Sequence, residues 1–222
     1  IGKNYFHHNA CPQAAAIFCQ GIWTKLVDNL IFCDSENRLR FGIATSCAGE
    51  ETRFTSCEDQ EISYNRIWGY VTDAFIQIEG VRQDKTQILQ NTLVGSKDQT
   101  AAGVRARSSA GSIGIRFNLV GNMAVGLDFE GSDRPDSDHN NFFSNKKDLR
   151  SVGAVALKAG VNDISRAPLF HSVDPDDPGF LHTLFSPVPV DRTSGGGREQ
   201  EGGDGFRGAR PVYIPPVPGN VA

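Results

Sequence analysis

The stretch Ile62-Ser-Tyr-Asn65-Arg-Ile-Trp-Gly69 returns in outline as Ile88-Leu-Gln-Asn91-Thr-Leu-Val-Gly95 and as Ile115-Arg-Phe-Asn118-Leu-Val-Gly121. Each copy has an isoleucine three positions before an asparagine and an aliphatic residue two positions after it. The pattern extends in both directions along the chain, with its asparagines at Asn4, Asn29, Asn65, Asn91, Asn118 and Asn141. Internal repetition at a period of about 20 to 50 residues is typical of a stacked solenoid.

The residues around each asparagine predict how one turn of the solenoid is built. An apolar residue stands three positions ahead of five of the six asparagines, and only Asp138 breaks that column. A second strand is expected after each asparagine, at residues 16–19, 42–45, 75–78, 103–106, 126–129 and 154–157. Because alternate residues of a strand share a face, one inner column is predicted to contain Ile17, Ile43, Ile76, Val104, Leu127 and Val155.

The asparagines are expected to stack inside the solenoid at one bend. Equivalent residues of neighbouring parallel strands lie about 4.8 Å apart, and an amide side chain both donates and accepts hydrogen bonds. An inward asparagine ladder would therefore satisfy buried turn groups. The fold predicted is all-β: a single parallel β-helix of about six to seven rungs.

These repeats resemble the right-handed parallel β-helix repeats of the pectate-lyase-like superfamily. The segment Asp163-Ile-Ser-Arg-Ala-Pro-Leu-Phe170, with Ser186-Pro-Val-Pro-Val-Asp191, is similar to the closing segment of secreted bacterial β-helix proteins. The resemblance implies a secreted or cell-surface protein associated with extracellular carbohydrate. It does not choose an activity, because the architecture serves lyases, hydrolases, esterases, tailspikes and noncatalytic adhesins.

Three regions follow from these patterns. Residues 1–160 are predicted to form the rungs, 161–192 a C-terminal cap, and 193–222 a Gly/Pro-rich tail held against the solenoid or a neighbouring chain. A bare solenoid end exposes apolar core and unpaired strand edges. We therefore expect an upstream segment or a neighbouring subunit to cover the N-terminal rung.

Composition excludes two classes of partner. The formal charge is −4, with 22 Lys and Arg against 26 Asp and Glu, so no basic excess points to nucleic acid. No run of 18 apolar residues occurs, and no membrane span is expected. The 24 glycines and single methionine favour turn-rich β structure.

The outward positions of the second strand carry alternating charges. One outward column is predicted to be Phe18, Ala44, Gln77, Arg105, Asp128 and Ala156, and its neighbour Gln20, Ser46, Glu79, Arg107, Glu130 and Lys158. The simpler interpretation is a cross-strand salt-bridge ladder in which each exposed pair contributes about 0 to 1 kcal/mol.

The alternative interpretation is a sugar-binding face. There Arg105 and Arg107 would be catalytic, holding a uronate carboxylate in bidentate fashion. Substrate-binding partners would be Gln77, Glu79, Asp128, Glu130 and Lys158, with the carboxylates as calcium ligands or as acid and base. The family-specific motifs of polysaccharide lyases are not matched residue by residue.

The long spacing between Asn29 and Asn65 marks an insertion of about ten residues, bracketed by Cys47 and Cys57. A disulfide between these cysteines would stabilise the loop by about 2 to 3 kcal/mol in the chain-entropy model. Reduced thiols are an equal alternative, because pairing cannot be deduced from sequence.

Two hypotheses of function result. The first is a lyase-like enzyme acting on acidic polysaccharide. The second is a noncatalytic module: an adhesin, a tailspike-like protein or a filament subunit. A cleft with converging carboxylates and arginines would favour the enzyme, whereas a flat ladder of paired charges would favour the module.

Overall fold

The computed structural model describes residues 1–7, 11–20, 23–46, 57–96, 100–110, 112–131, 135–153, 156–170, 172 and 181. These residues form three parallel sheets. Sheet A contains β3 (Lys25–Val27), β7 (Glu61–Ser63), β10 (Thr86–Leu89), β13 (Ile113–Arg116) and β16 (Asp136–Asp138). Sheet B contains β1 (Tyr5–His7), β4 (Leu30–Cys33), β8 (Arg66–Gly69), β11 (Thr92–Gly95), β14 (Leu119–Gly121) and β17 (Asn141–Phe143). Sheet C contains β2 (Cys11–Gln20), β5 (Leu39–Ser46), β9 (Val71–Asp84), β12 (Ala102–Ala110), β15 (Val125–Gly131) and β18 (Lys147–Val152), and the short β6 (Cys57–Glu58) pairs with β9.

The chain visits the sheets in the order A, B, C and then repeats, which confirms the predicted all-β parallel solenoid. Within the described residues, five rungs contain all three strands, from β3–β5 to β16–β18, and β1 and β2 precede them. The number of complete rungs is slightly lower than the six to seven expected. No helix among the described residues is long and apolar enough to span a membrane.

The inner column of sheet C follows the predicted register through most of the solenoid. Ile17 pairs with Ile43, Ile43 with Ile76, Ile76 with Val104, and Val104 with Leu127. All five are at most 3% exposed. Burying one such aliphatic side chain contributes about 1.5 to 3 kcal/mol, so these stacked columns are the main source of stability.

The asparagine ladder is present, and each asparagine donates hydrogen bonds to the next asparagine along the chain. The backbone N–H and the Nδ2 of Asn65 both donate to Oδ1 of Asn91, at 2.9 and 3.0 Å. Asn91 donates in the same way to Asn118, and its second Nδ2 hydrogen reaches the carbonyl of Ile62 at 2.8 Å. Asn29, Asn65, Asn91 and Asn118 are at most 1% exposed, whereas Asn4 is exposed, as predicted.

The residue before each ladder asparagine adopts a left-handed backbone conformation. The φ angles lie between 54° and 58° at Lys3, Asp28, Tyr64, Gln90, Phe117 and His139. This conformation costs a non-glycine residue roughly 1 to 2 kcal/mol. It recurs because the bend turns the following asparagine inward, where the ladder bonds offset the cost.

The sixth ladder residue is Asn140, and the prediction of Asn141 was wrong. Asn118 donates from its backbone N–H and from Nδ2 to Oδ1 of Asn140, both at 3.0 Å. Asn140 follows the left-handed residue His139 and therefore points inward. Asn141 is one position further, pairs with Leu119 in sheet B, and faces outward.

An aspartate ends the ladder. Asp163 Oδ1 accepts from the backbone N–H and the Nδ2 of Asn140, at 2.7 and 3.1 Å. Its Oδ2 accepts from Gly160 N at 2.7 Å and from Ser137 Oγ at 3.2 Å. Ser137 pairs with Ile115 and thus occupies the column that the sequence pattern assigned to Asp138. Because a carboxylate has no donor, the ladder stops here without leaving an amide hydrogen unpaired.

The last strand of sheet C also differs from the prediction. It is β18, residues 147–152, and not residues 154–157. Leu127 pairs with Leu149, and Phe129 pairs with Ser151. The run Ala154-Val-Ala-Leu157 is more apolar than residues 147–152. However, only residues 144–146 separate β17 from β18, just as residues 122–124 separate β14 from β15, so residues 147–152 take the position in sheet C.

The C-terminal end of the solenoid is covered by residues 156–166. Leu157 packs against the inner core, Asp163 meets the ladder, and Ile164 forms a parallel bridge with Asn141. The tail at 193–222 and the insertion at 47–56 lie outside the described residues. Coverage of the N-terminal rung stays a prediction.

Candidate functional site

The outer face of sheet C brings six of the seven predicted site residues into two neighbouring columns. Arg105 lies between Gln77 and Asp128, and Arg107 lies between Glu79 and Glu130. This register confirms the expected order of charges along the axis. The register by itself does not establish a binding role.

The first column belongs to a continuous chain of ion pairs. Arg105 donates from Nε to Asp128 at 2.9 Å and from Nη1 to Asp73. Arg150 binds Asp128 with two hydrogen bonds, at 2.7 and 2.5 Å, and Arg40 reaches Asp73 at 3.3 Å. Three guanidinium groups thus alternate with two carboxylates. The Arg105 side chain is only 14% exposed, so both its carboxylate contacts are sheltered from water.

The carboxylates in this chain have altered acidity. Burial would raise the pKa of Asp128, but hydrogen bonds and charge from Arg150 and Arg105 outweigh it and hold the pKa below its ordinary value. Burial would also raise the pKa of Asp73. Hydrogen bonds and charge from Arg105 and Arg40 outweigh that effect, so the pKa of Asp73 is lowered as well. The pKa of Arg150 is raised by its hydrogen bond to Asp128.

These lowered pKa values predict a loss of stability in acid. A carboxyl whose folded pKa lies below its unfolded value of about 3.9 stabilises the fold above that pH, and this stabilisation is lost as the pH falls through the folded pKa. We expect the free energy of unfolding to fall steeply below about pH 4, and Arg105→Met to reduce that slope because it removes a partner of both aspartates. Urea titrations between pH 5 and 2.5 would measure it. Arg107→Met is the control, and equal slopes in Arg105→Met and the unchanged protein would contradict the assignment.

The second column is more open. Arg107 Nε lies 3.4 Å from Glu130 Oε2, and these side chains are 49% and 56% exposed. Glu79 is also exposed. A pair of this kind contributes little to stability, so Arg107 is free to exchange one carboxylate for another.

Lys158 does not continue the second column, and that prediction was wrong. Glu130 pairs with Val152, and Asp128 pairs with Arg150, because β18 takes the place expected for residues 154–157. Arg40, Asp73 and Arg150 also belong to the ion-pair chain, although the repeat pattern did not predict them there. In Lys147-Asp-Leu-Arg150, an apolar residue stands between two charged ones, as in a strand with one buried face. This pattern could have predicted that Arg150 faces outward in sheet C.

Gln77 is 4% exposed between Ala44 and Arg105, and its Oε1 has no hydrogen-bond partner.

No group of three or more His, Cys, Asp or Glu side chains that could hold a metal occurs in the described part of the chain. Calcium binding stays a prediction.

The thiols of Cys19 and Cys33 are the two described cysteine side chains, and burial makes both less acidic. Burial raises the pKa of Cys33 to about 12, and it raises the pKa of Cys19. A thiol with a raised pKa is a poor nucleophile at neutral pH. The pairing of Cys47 with Cys57 lies outside the described residues and side chains.

Chemically, the site consists of the ion-pair chain from Arg40 to Arg150, in which the charges neutralise one another, and of the half-exposed Arg107 beside it. Arg105 is held on both sides, and both carboxylates of the ion-pair chain, Asp73 and Asp128, accept from two arginines each. Comparison with known proteins found no matching family model, no matching curated protein and no matching solved structure.

Proposed function

We propose that this chain is a noncatalytic β-solenoid module of a secreted or cell-surface protein, in which the rungs form a rigid spacer with an adaptable outer face. The supporting observation is the position of Arg105 between Asp73 and Asp128. A lyase needs an arginine or another base directed at the sugar. Here the best-placed arginine already has two carboxylates as partners.

The continuity of the ion pairs supports the same proposal. They join successive strands of sheet C, from Arg40 on β5 to Arg150 on β18. Partly buried pairs with lowered aspartate pKa values stabilise a stack of rungs more than exposed pairs do. Such a ladder fits a structural element.

An activity screen tests the proposal against the enzyme hypothesis. We expect no unsaturated product from acidic polysaccharides, with or without calcium, and we expect Arg105→Met to lower the melting temperature. Product formation that Arg105→Met abolishes without loss of stability would refute the module and support a lyase.

A second candidate function is the binding of an acidic polysaccharide at the second column. It is favoured by the loose contact between Arg107 and Glu130, both half exposed. A polysaccharide carboxylate has the same chemistry as Glu130 and could take its place on the guanidinium group.

For this candidate, Arg107→Met should weaken polyuronate binding about 10- to 100-fold, the loss expected when a charge-assisted hydrogen bond of about 1.5 to 3 kcal/mol is removed. Its melting temperature should stay close to that of the unchanged protein. Arg105→Met is the matched variant and should show the reverse pattern. Binding that is insensitive to Arg107→Met would exclude this column as the site.

A further inference from the structure

The outer face of sheet B is buried, unlike an ordinary outward surface, and it is largely apolar. Its polar members are Arg66, Thr92 and Asn141, which lie in one column with Leu30 and Leu119. The residues Ile31, Ile67, Leu93, Val120 and Phe142 of this sheet belong to the inner core. Their neighbours face outward, because alternate residues of a strand point to opposite sides. Yet the outward residues Leu30, Phe32, Val94, Leu119 and Phe143 are at most 8% exposed and form a second apolar cluster with Leu181.

The chain beyond the last rung supplies part of this cover. Leu181 is fully buried in the second cluster, and its N–H donates to Ser172 O at 2.9 Å. Phe170 packs against Phe143, with ring centroids 6.3 Å apart. We call residues 164–170, with Ser172 and Leu181, the strap.

Asn141 attaches the strap to the rim of the sheet. Its Nδ2 donates to Arg166 O at 2.8 Å, and its Oδ1 accepts from Arg166 N at 2.9 Å. One side-chain amide thus pairs with both backbone groups of one strap residue, as a neighbouring strand would. The contact recognises an extended backbone whatever its side chain is.

We propose that the outer face of sheet B is a peptide-binding groove, and that the strap is a ligand that docks in it reversibly. The groove selects an extended segment whose backbone pairs with Asn141 and whose apolar residues fill the second cluster. This goes beyond the proposed function, because it assigns an interaction surface on a different face of the solenoid.

The separation of the two clusters would allow the strap to leave without opening the inner core. The inner core and the second cluster lie on opposite sides of sheet B and share no member. Releasing the strap breaks the Asn141 pair and the two backbone hydrogen bonds of Ile164, to Asn140 O and from Phe142 N, and it uncovers the second cluster. It leaves the ladder between Asn29 and Asn118 intact. Elements with few contacts to the main core open locally before the whole protein unfolds.

Leu181→Asp should release the strap, since it places a charge in the second cluster. Leu169→Asp is the matched control, because Leu169 is 62% exposed. Trp68 is the reporter: it packs on the second cluster and stacks on Phe32 at 5.0 Å. In a Trp23→Phe background of the full chain, Leu181→Asp should shift the Trp68 emission to the red, and Leu169→Asp should not.

A labelled synthetic peptide with the sequence of residues 160–181 then tests the groove directly. The Leu181→Asp chain should bind it and recover the original emission, whereas the unchanged chain and Leu169→Asp should not bind it, because their grooves are filled. Failure of Leu181→Asp to bind the peptide, with its fold retained, would overturn the proposal.

Hydrogen exchange of the unchanged chain gives a test that needs no variant. The N–H of Arg166 should exchange through an opening that leaves the N–H of Asn91 protected. Equal exchange of the two groups would mean that the strap opens only with the whole solenoid, and the proposal would then be wrong.

Discussion

Asn91→Ala should lower the free energy of unfolding by about 3 kcal/mol, at the upper end of the cost of leaving buried polar groups unpaired. The Oδ1 of Asn91 is the acceptor for both the backbone N–H and the Nδ2 of Asn65, and its Nδ2 binds the carbonyl of Ile62 and the Oδ1 of Asn118. All four contacts are buried, so water cannot replace the missing amide. Urea denaturation at neutral pH measures the loss.

Asn4→Ala is the matched control. Asn4 has the same place in the repeat and also donates to the next ladder residue, but it is exposed. We expect a loss below about 1 kcal/mol, because water satisfies the groups that Asn29 loses there. Equal losses in the two variants would mean that the ladder contributes through local turn geometry and not through its buried hydrogen bonds.

Gly69→Ala should be at least as damaging, with a loss of about 3 kcal/mol or more, or a failure to fold. Gly69 has φ of +113°, where a side chain costs about 1 to 3 kcal/mol. A Cβ there would also lie 1.9 Å from the carbonyl oxygen of Cys33. Cys33 is paired with Gly69 in sheet B, and its carbonyl accepts from Tyr70 N at 2.9 Å, so the backbone cannot move aside.

Gly153→Ala separates the two causes. Gly153 has the same φ of +113°, but within the described part of the chain the nearest atom to an added Cβ, apart from its chain neighbours, is the Gly131 carbonyl oxygen at 3.8 Å. Its loss should therefore show the backbone cost alone, about 1 to 3 kcal/mol. Thermal and urea unfolding of both variants compares them, and similar losses would remove the steric contact with Cys33 as a cause.

The central rungs could be predicted from the sequence because their signals are local and repeated. An asparagine is one of the few residues that both donates and accepts at the spacing of parallel strands, so its recurrence indicated a ladder, a bend and a register together. That register correctly placed Arg105 between Gln77 and Asp128, and Arg107 between Glu79 and Glu130.

The last rung could not be predicted in the same way, because two adjacent asparagines fitted the pattern. The choice of Asn140 over Asn141 depends on which residue follows the left-handed His139, a property of the folded bend. The last strand of sheet C also differs from the prediction: it is formed by residues 147–152, which excludes Lys158 from the column and introduces Arg150.

The sequence by itself determined the repeat, the inner columns and the alternation of charge on one face, because each depends on spacing along the chain. Only the tertiary structure decided the partners: Asp73 and Arg40 beside Arg105, Asp163 at the end of the ladder, and Leu181 on the outer face of sheet B. Those contacts join residues from different rungs or from beyond the rungs. Their geometry is set by how the solenoid stacks and closes, which no local pattern records.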